Sequence, residues 1–218
     1  MFYTGDMTMT PEYFDIQSTR WDDEKKCKRA KTVYTRMADF IKADTAKKLL
    51  DFGSGTGLLG FNFIHDFSEV HFADTSAGML EKVSTKAHAA NIKNYKTILL
   101  QGDELDGAAF AAYQAVVTLL AFHHVENIHK ALTVLAAHTE AGGFLAVSDL
   151  DTEDGSFHAP MHVPHNGIER SEILSFMAEA RFTVLCNETV YIDERIIDGV
   201  KKEYPIFLIA GQKLRQRM

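Results

Sequence analysis

Short continuous apolar runs alternate along this chain with stretches whose apolar residues repeat at a helical spacing. The runs are typical of buried strands, and the repeating stretches place their apolar residues on one face of a helix. We predict strands at residues 48–52, 70–73, 96–100, 115–120 and 143–149, and helices at 28–42, 58–65, 76–89 and 125–138. Strands that alternate with helices indicate βαβ units, and therefore a parallel sheet with helices on both faces.

The last third of the chain breaks this alternation. Residues 151–167 form a long polar loop, which is more often a functional lid than a simple connection. A helix is predicted at 169–180, and it is followed by strands at 182–192 and 203–210 with no helical pattern between them. Two strands joined in this way are most simply antiparallel. We therefore predict an α/β, doubly wound Rossmann-like sheet that is mostly parallel and ends in an antiparallel pair.

A glycine-rich turn follows the first predicted strand, in the segment LLDFGSGTGLLGFNF. Its glycines fit two motifs, since Gly55, Gly57 and Gly60 read as G-x-G-x-x-G whereas Gly53, Gly55 and Gly57 read as G-x-G-x-G. Either pattern lets the backbone turn tightly and come close to a ligand. This stretch alone is compatible with a dinucleotide and with S-adenosylmethionine.

Acidic residues lie at the predicted carboxyl ends of several strands, namely Asp51, Asp74, Asp103 and Asp149. Right-handed crossovers bring the carboxyl ends of parallel strands to one edge of the sheet, so a ligand site is expected there. A carboxylate at Asp51 would repel a pyrophosphate, but it would attract the ammonium and sulfonium groups of S-adenosylmethionine. The charge therefore favours S-adenosylmethionine, although Asp74 could accept from ribose hydroxyls in either cofactor.

Five motifs in order make residues 28–211 resemble the class I S-adenosylmethionine-dependent methyltransferase family. They are LLDFGSGTG, HFADTSAGML, LLQGDELD, AVVTLLAFHHV and AGGFLAVSDLD. The resemblance implies a seven-stranded sheet whose last strand inserts antiparallel beside the fifth, with S-adenosylmethionine as cofactor. We accordingly divide the chain into an N-terminal cap segment, 1–27, and a methyltransferase domain, 28–218. Gly60 then serves close packing of helix against sheet.

The same resemblance implies a set of cofactor-binding residues in these motifs. They are Asp51, Gly53, Ser54, Gly55, Thr56, Gly57, Asp74, Thr75, Ser76, Met79, Gly102, Asp103, Glu104, Leu119, Ala121 and Phe122. Within this set, Met79 covers the adenine, Asp103 accepts from the adenine amino group and the Glu104 backbone reads the ring. Trp21, with Tyr13 and Phe14, either caps the cofactor, where aromatic faces would favour a sulfonium cation, or packs on the domain.

Two adjacent histidines, His123 and His124, are candidate catalytic bases at the loop that in this family faces the sulfonium and the acceptor. Adjacent side chains on a turn rarely point the same way, so we expect at most one to face the site. Methyl transfer needs mainly alignment and desolvation, because its leaving group is already activated. The spacing of His158, His162 and His165 matches no tight ligand pair on a helix, and we expect no metal site.

Charge and composition limit the class of methyl acceptor and the cellular compartment that we expect. The net charge of -7 argues against a nucleic-acid partner. The chain also lacks the Asn/Asp-Pro-Pro-aromatic signature of amino methylation on nucleobases, and it has Thr118 where many members carry an acid or Asn. A small-molecule acceptor is favoured. Two lone cysteines, no apolar run near membrane length and no signal-peptide pattern lead us to expect a cytoplasmic protein; the oligomeric state is open.

Two other functions stay open from the sequence. One is an NAD(P)-dependent oxidoreductase on the same kind of sheet, although no Tyr-Lys pair for hydride chemistry can be placed. The other is a non-catalytic methyltransferase-like protein that binds cofactor or partner without turnover. Fold alone does not decide between these functions.

Overall fold

The computed structural model describes residues 8–101 and 110–215, and within these ranges seven strands form one sheet. The strands are β1 (Asp44–Phe52), β2 (Phe67–Asp74), β3 (Tyr95–Leu99), β4 (Tyr113–Leu119), β5 (Thr139–Leu150), β6 (Phe182–Ile197) and β7 (Val200–Lys213). The helices are α1 (Pro11–Gln17), α2 (Glu24–Met37), α3 (Ala77–Ala89), α4 (Ile128–His138) and α5 (Arg170–Glu179). Short 3₁₀ turns occur at Ser18–Arg20, Gly60–Phe63 and Phe122–His124.

The strand order is β3-β2-β1-β4-β5-β7-β6, and the first five strands are parallel to one another. β7 lies between β5 and β6 and is antiparallel to both. This arrangement confirms the predicted fold, including the antiparallel insertion of the last strand beside the fifth. It also brings the carboxyl ends of β1, β2, β4 and β5 to one edge.

The core lies on both faces of the sheet because successive strand residues point to opposite sides. Leu49 packs with α2 and α3 on one face, whereas Leu50 packs with α4 and α5 on the other. Both leucines are fully buried. A strand with two buried faces reads as a continuous apolar run, which is why β1 was recognisable from the sequence.

The helix predicted at 58–65 is wrong, since only residues 60–63 form a 3₁₀ turn. Asn62 N donates to Leu59 O and Asp66 N to Phe63 O across three residues, whereas Phe61 N donates to Gly57 O across four, so the bonds do not follow the regular α-helical spacing. Glycine, asparagine and phenylalanine are weak helix formers, so the helix propensity of this segment does not match its apolar pattern. β2 then begins at Phe67, directly after this turn.

The two last strands are longer than predicted and form one hairpin. Their turn is Asp198-Gly199, with φ values of 51° and 78°. Such a two-residue turn needs positive φ at both positions, and Asp-Gly is a favoured sequence for it. The sequence predicted a connection of about ten residues between 192 and 203. In the structure β6 continues to Ile197 and β7 begins at Val200, so only the two turn residues connect them.

The N-terminal part is helical from Pro11, and α2 begins at Glu24 rather than at Lys28. Asp23 caps α2, because its side chain accepts from Lys26 N. The division into a segment 1–27 and a domain 28–218 stays a prediction. Across residues 8–101 and 110–215, no helix combines the length and apolar character that crossing a membrane requires.

Candidate active site

The glycine turn after β1 has the backbone conformation that its sequence predicts. Gly53, Gly55 and Gly57 have φ values of 64°, 51° and 83°, a region that glycine adopts readily. At Gly53 the approach is also close, because a Cβ there would lie 2.3 Å from the Cβ of Ala121. The turn after β1 and the loop after β4 therefore touch through a position that only glycine fits.

Asp51 is buried at the end of β1, with 1% of its surface exposed. Its Oδ2 accepts from Gly60 N at 2.8 Å. A Cβ at Gly60 would lie 2.7 Å from that oxygen, so Gly60 allows the close packing expected of it. Burial raises the pKa of Asp51 to about 7, an effect to which the nearby Asp74 carboxylate adds.

Asp74 ends β2 and is held by the backbone of two turns. Its Oδ2 accepts from Gly55 N at 2.7 Å and its Oδ1 from Ser76 N at 2.9 Å. Burial raises its pKa, while these amide bonds oppose the rise. Each carboxylate oxygen has a second lone pair, so Asp74 can still accept from a ligand hydroxyl.

Ser76 acts as a helix cap. Its Oγ accepts from Met79 N at 3.0 Å and donates to Asp15 Oδ1 at 2.6 Å. Asp15 also accepts from Gly78 N at 2.7 Å, so helix α1 is tied to the first turn of α3. The side chain of Ser76 is thereby occupied in holding α1 over the carboxyl edge of the sheet.

Aromatic rings from this N-terminal part form the roof of the site. Phe14 packs edge-on against Trp21 at 5.7 Å and against His124 at 5.2 Å between ring centroids. Thr56 Oγ1 is hydrogen-bonded to Asp22, and Asp22 also pairs with Lys86. The roof is therefore bonded to the glycine turn as well as to α3.

A single cavity brings together most of the predicted cofactor residues. Those that line it are Asp51, Gly53, Ser54, Gly55, Thr56, Asp74, Thr75, Met79, Leu119, Ala121 and Trp21, together with the candidate base His124. Phe14 lines it too, as the predicted aromatic cap requires. Gly102, Asp103 and Glu104 lie outside the described residues.

Four predicted residues do not line the cavity: Gly57, Ser76, Phe122 and His123. Phe122 is fully buried and packs on Phe52, with ring centroids 5.6 Å apart. A Cβ at Gly57 would meet the ring of Phe72 at 2.9 Å, so this glycine serves packing. Short turns direct neighbouring side chains in different directions, and the sequence does not say which side chain faces inwards.

The two adjacent histidines point to different partners. His124 lines the cavity, whereas His123 Nδ1 lies 2.5 Å from Asp149 Oδ1. Asp149 is fully buried and also accepts from Phe122 N and Leu150 N. Burial lowers the pKa of His124 well below its ordinary value, so its imidazole is neutral at neutral pH.

His158 joins these two histidines from the polar loop. Its Nε2 lies 2.9 Å from His123 Nε2, and its ring centroid is 5.2 Å from that of His124. Burial, and then the neighbouring His123, lower the pKa of His158 to about 3. The sequence singled out three histidines in this loop, and His158 is the one whose ring lies against those of His123 and His124.

The sequence reasoning missed four polar residues that line the cavity: Lys26, Arg29, Asn127 and Lys130. Lys26 and Arg29 belong to a charged run that reads as a solvated helix start, yet they lie one turn apart on α2 and face inwards. Asn127 caps α4, accepting from Lys130 N at 2.8 Å. The sequence did contain a signal for this part of the site. Asn is a favoured N-cap residue, so Asn127 marks the start of a helix beside the loop that follows β4.

Comparison with known proteins agrees with this architecture. A family model described as a methyltransferase domain matches residues 50–145. An uncharacterised methyltransferase of Schizosaccharomyces pombe is 24% identical over 74% of this chain and 62% of its own length. An uncharacterised methyltransferase of Mycobacterium bovis is 33% identical over 52% of this chain and 56% of its own. The chain thus spans about three fifths of the length of these curated relatives.

Solved structures share the fold at low sequence identity. The crystal structure of a SAM-dependent methyltransferase from Aquifex aeolicus superimposes with a TM-score of 0.67. That comparison covers 95% of this chain and 100% of the other, at 14% identity. An agreement of this extent at so low an identity establishes the common architecture.

Proposed function

We propose that the chain is a class I S-adenosylmethionine-dependent methyltransferase and that it transfers the methyl group of S-adenosylmethionine to a small-molecule acceptor; the methyltransferase-domain match over residues 50–145 and the shared fold support this. The observation that carries this proposal is the cavity that is lined by Asp74 and His124 and covered by Phe14 of helix α1. One end offers the carboxylate and glycine turn that suit the cofactor. The other end offers polar groups to an acceptor of limited size.

The residues at the cofactor end fit S-adenosylmethionine. The glycine turn leaves room for the ligand, and the buried Asp51 and the half-buried Asp74 provide two carboxylates beside it. A carboxylate pair favours a ligand with cationic groups and disfavours a pyrophosphate. Asp74 would accept from the ribose hydroxyls, Met79 would cover the adenine and Asp51 would stabilise positive charge directly or through water.

When bound, S-adenosylmethionine supplies a methyl group on an activated sulfonium. The acceptor attacks the methyl carbon in line, and the electrons of the breaking S–C bond stay on sulfur in S-adenosylhomocysteine. The protein contributes alignment and exclusion of water, for which Phe14, Trp21 and Met79 provide apolar walls. His124, neutral and facing the cavity, is placed to accept a proton or a hydrogen bond from the acceptor.

A small acceptor is supported by the roof over the cavity. Asp15 bonds α1 to Ser76 and Gly78, and Asp22 bonds the following segment to Thr56. An acceptor must therefore fit beneath α1 or displace it. Lys130 and Asn127 line the cavity near His124 and would bind polar or anionic groups on the acceptor.

Calorimetry tests the cofactor assignment. The protein is titrated separately with S-adenosylmethionine, S-adenosylhomocysteine and NADH, and the same titrations are made with Asp74→Asn. We expect micromolar binding of the first two, no NADH binding, and at least a tenfold loss in the variant. Asp39→Asn, an exposed acid paired with Arg36 outside the cavity, is the matched control. NADH binding in preference to S-adenosylhomocysteine would instead support the oxidoreductase.

Turnover is tested separately with S-adenosylmethionine labelled in its methyl group. A panel of small thiols, amines, hydroxyl compounds and carboxylic acids is offered, and label in the product is counted. Transfer to at least one small compound is expected, and it should fall in Asp74→Asn. Protein and nucleic acid are offered in a parallel assay, and tight cofactor binding with label transferred only to these would contradict a small-molecule acceptor.

A further inference from the structure

Three histidines from two distant parts of the chain converge beside the cavity. His123 and His124 follow β4, and His158 comes from the polar loop after β5. One ring nitrogen from each lies within 4.8 Å of those of the other two. All three rings are buried or half-buried.

A hydrogen bond to Asp149 fixes the orientation of the His123 ring. Its Nδ1 donates to the buried Asp149, which leaves the lone pair of Nε2 directed forwards. That lone pair points at His158 Nε2, 2.9 Å away. A carboxylate behind a histidine is the arrangement that orients metal-ligating imidazoles and makes them more basic.

His124 provides the second, independent observation. In residues 8–101 and 110–215, its Nδ1 is a buried polar atom without a hydrogen-bond partner. A buried ring nitrogen without a partner is costly, and native proteins rarely keep one. Its ring nevertheless sits 4.1 Å from that of His123 between centroids, in the same cluster.

We propose that His123, His124 and His158 bind one divalent transition-metal ion of the Zn²⁺ class. Three imidazole nitrogens suit Zn²⁺, Co²⁺, Ni²⁺ or Cu²⁺, whereas Mg²⁺ and Ca²⁺ prefer oxygen ligands. In a tetrahedral site with Zn–N bonds near 2.0–2.1 Å, ligand nitrogens lie about 3.3 Å apart. One nitrogen from each ring already lies within 4.8 Å of the other two. A bound ion would replace the hydrogen bond between His123 Nε2 and His158 Nε2, and it would give His124 Nδ1 a partner.

Such a site has three protein ligands and leaves a fourth position open. Because His124 also lines the cavity, this position would stand at its acceptor end. Metal binding itself does not depend on methyl transfer, and it can be measured without any acceptor. The experiment therefore fails or succeeds independently of the proposed enzyme activity.

The test is a titration of the full chain, first stripped with a chelator, with Co²⁺ and Zn²⁺ alone. We expect one equivalent of Co²⁺ to give the intense visible absorption of a four-coordinate ion, and Zn²⁺ to displace it. His158→Gln should weaken binding at least 100-fold. Asp149→Asn, which keeps all ligands, should weaken it 10- to 100-fold. His162→Gln, an exposed histidine of the same loop, is the control and should bind as wild type does.

A second readout covers variants that lose stability. Zn²⁺ should raise the melting temperature of the wild type and of His162→Gln in a concentration-dependent way, but not that of His158→Gln. A crystal grown with Zn²⁺ should show anomalous scattering between the three rings. Equal Co²⁺ affinity in wild type and His158→Gln, or an ion bound elsewhere, overturns the proposal.

Discussion

Two carboxylates at the ends of β1 and β2, the buried Asp51 and the half-buried Asp74, dominate the site at the scale of single residues. Asp51 is nearly inaccessible, and its carboxylate receives one amide hydrogen bond from Gly60. An ionised acid in such a place is unfavourable until a cation comes near. The same feature that would attract a cationic cofactor therefore makes the ligand-free protein less stable.

Asp51→Asn should separate the effect of this carboxylate on the stability of the protein from its effect on cofactor binding. The pKa of Asp51 is raised to about 7 by burial, so the folded state holds its proton more tightly than the unfolded chain does. Its contribution to stability is complete below pH ~4 and is lost as pH rises through about 7. We expect the free energy of unfolding of the variant, relative to wild type, to increase by up to ~4 kcal/mol between pH 4 and pH 8.

Urea unfolding of both proteins at several pH values measures this difference. Calorimetry at pH 6 and pH 8 then measures affinity for S-adenosylmethionine. Binding of the cation should strengthen with pH in wild type and be weak and pH-independent in Asp51→Asn. A difference in stability between variant and wild type that stays constant from pH 4 to pH 8 would show that Asp51 does not ionise in the fold.

Gly53→Ala tests the contact between the glycine turn and the β4 loop. The new methyl group meets Ala121 at 2.3 Å in addition to the strain of positive φ. Gly199→Ala is the matched control, since φ is 78° there and a Cβ meets nothing within 4 Å. We expect a loss of about 1 kcal/mol in the control and at least 2 kcal/mol more at Gly53 in urea unfolding, with a loss of cofactor binding. Equal losses would contradict the close approach.

At the scale of elements, the short helix α1 matters most for access to the cavity. It has no buried residue of its own, so it is held by its bonds to α3 and by the Phe14 ring. Elements with few buried contacts open at low free energy. Helix α1 is thus suited to open and close over ligands.

Asp15→Ala should loosen α1, because it removes the bonds to Ser76 Oγ and Gly78 N. The chain has one tryptophan, Trp21, which lines the cavity and reports on this region by its fluorescence. We expect S-adenosylhomocysteine to change Trp21 emission, and its dissociation rate in stopped flow to rise about tenfold in the variant. Glu12→Ala is the control, since this exposed side chain lies on the same helix but bonds to Thr10 rather than to α3, and it should release the ligand as wild type does. An unchanged dissociation rate would show that α1 does not gate the site.

The elements differed from prediction where local signals compete. The Asp198-Gly199 turn was present in the sequence as a hairpin signal, but the polar residues of the strands on either side of it hid the alternation. The segment after the glycine turn had an apolar pattern that suits a helix, yet its composition supports only a 3₁₀ turn. The spacing of apolar residues indicates which faces of a segment are buried. It does not indicate whether the backbone hydrogen bonds follow an α-helical or a 3₁₀ pattern, which here depends on composition.

At the scale of the whole molecule, a buried charge cluster joins the N-terminal helix region to the far edge of the sheet. Asp193 on β6 is 1% exposed and lies 2.5 Å from Lys25 Nζ and 2.7 Å from Arg29 Nη1. Arg29 also lines the cavity. This cluster therefore couples the placement of α2, and with it the roof, to the β6-β7 hairpin.

Asp193→Ala should cost about 3–5 kcal/mol of stability, because it leaves Arg29 buried without its partner. Glu194→Ala is the control, since its exposed side chain pairs with Lys201 and should cost less than 1 kcal/mol. Urea unfolding monitored by circular dichroism checks both. Similar losses for the two variants would mean that the buried cluster contributes no more than a surface pair.

The sequence by itself determined the class of fold and the edge of the sheet at which the candidate site lies. Apolar runs, glycines and strand-end acids are local signals, and the parallel connection rule turns their order into a common edge. Most of the glycine turn and the acids Asp51 and Asp74 could be assigned to the cavity in this way.

Only the tertiary structure decided which side chains meet. His123 and His158 are 35 residues apart and come together through the path of a loop, which no periodicity encodes. The side-chain directions of Phe122, His123 and His124 depend on the three-residue turn that they form. They also depend on the buried Asp149, which is hydrogen-bonded to Phe122 N and to His123 Nδ1. A contact between distant residues is set by packing of the whole chain, and for that reason the histidine cluster was invisible until the fold was known.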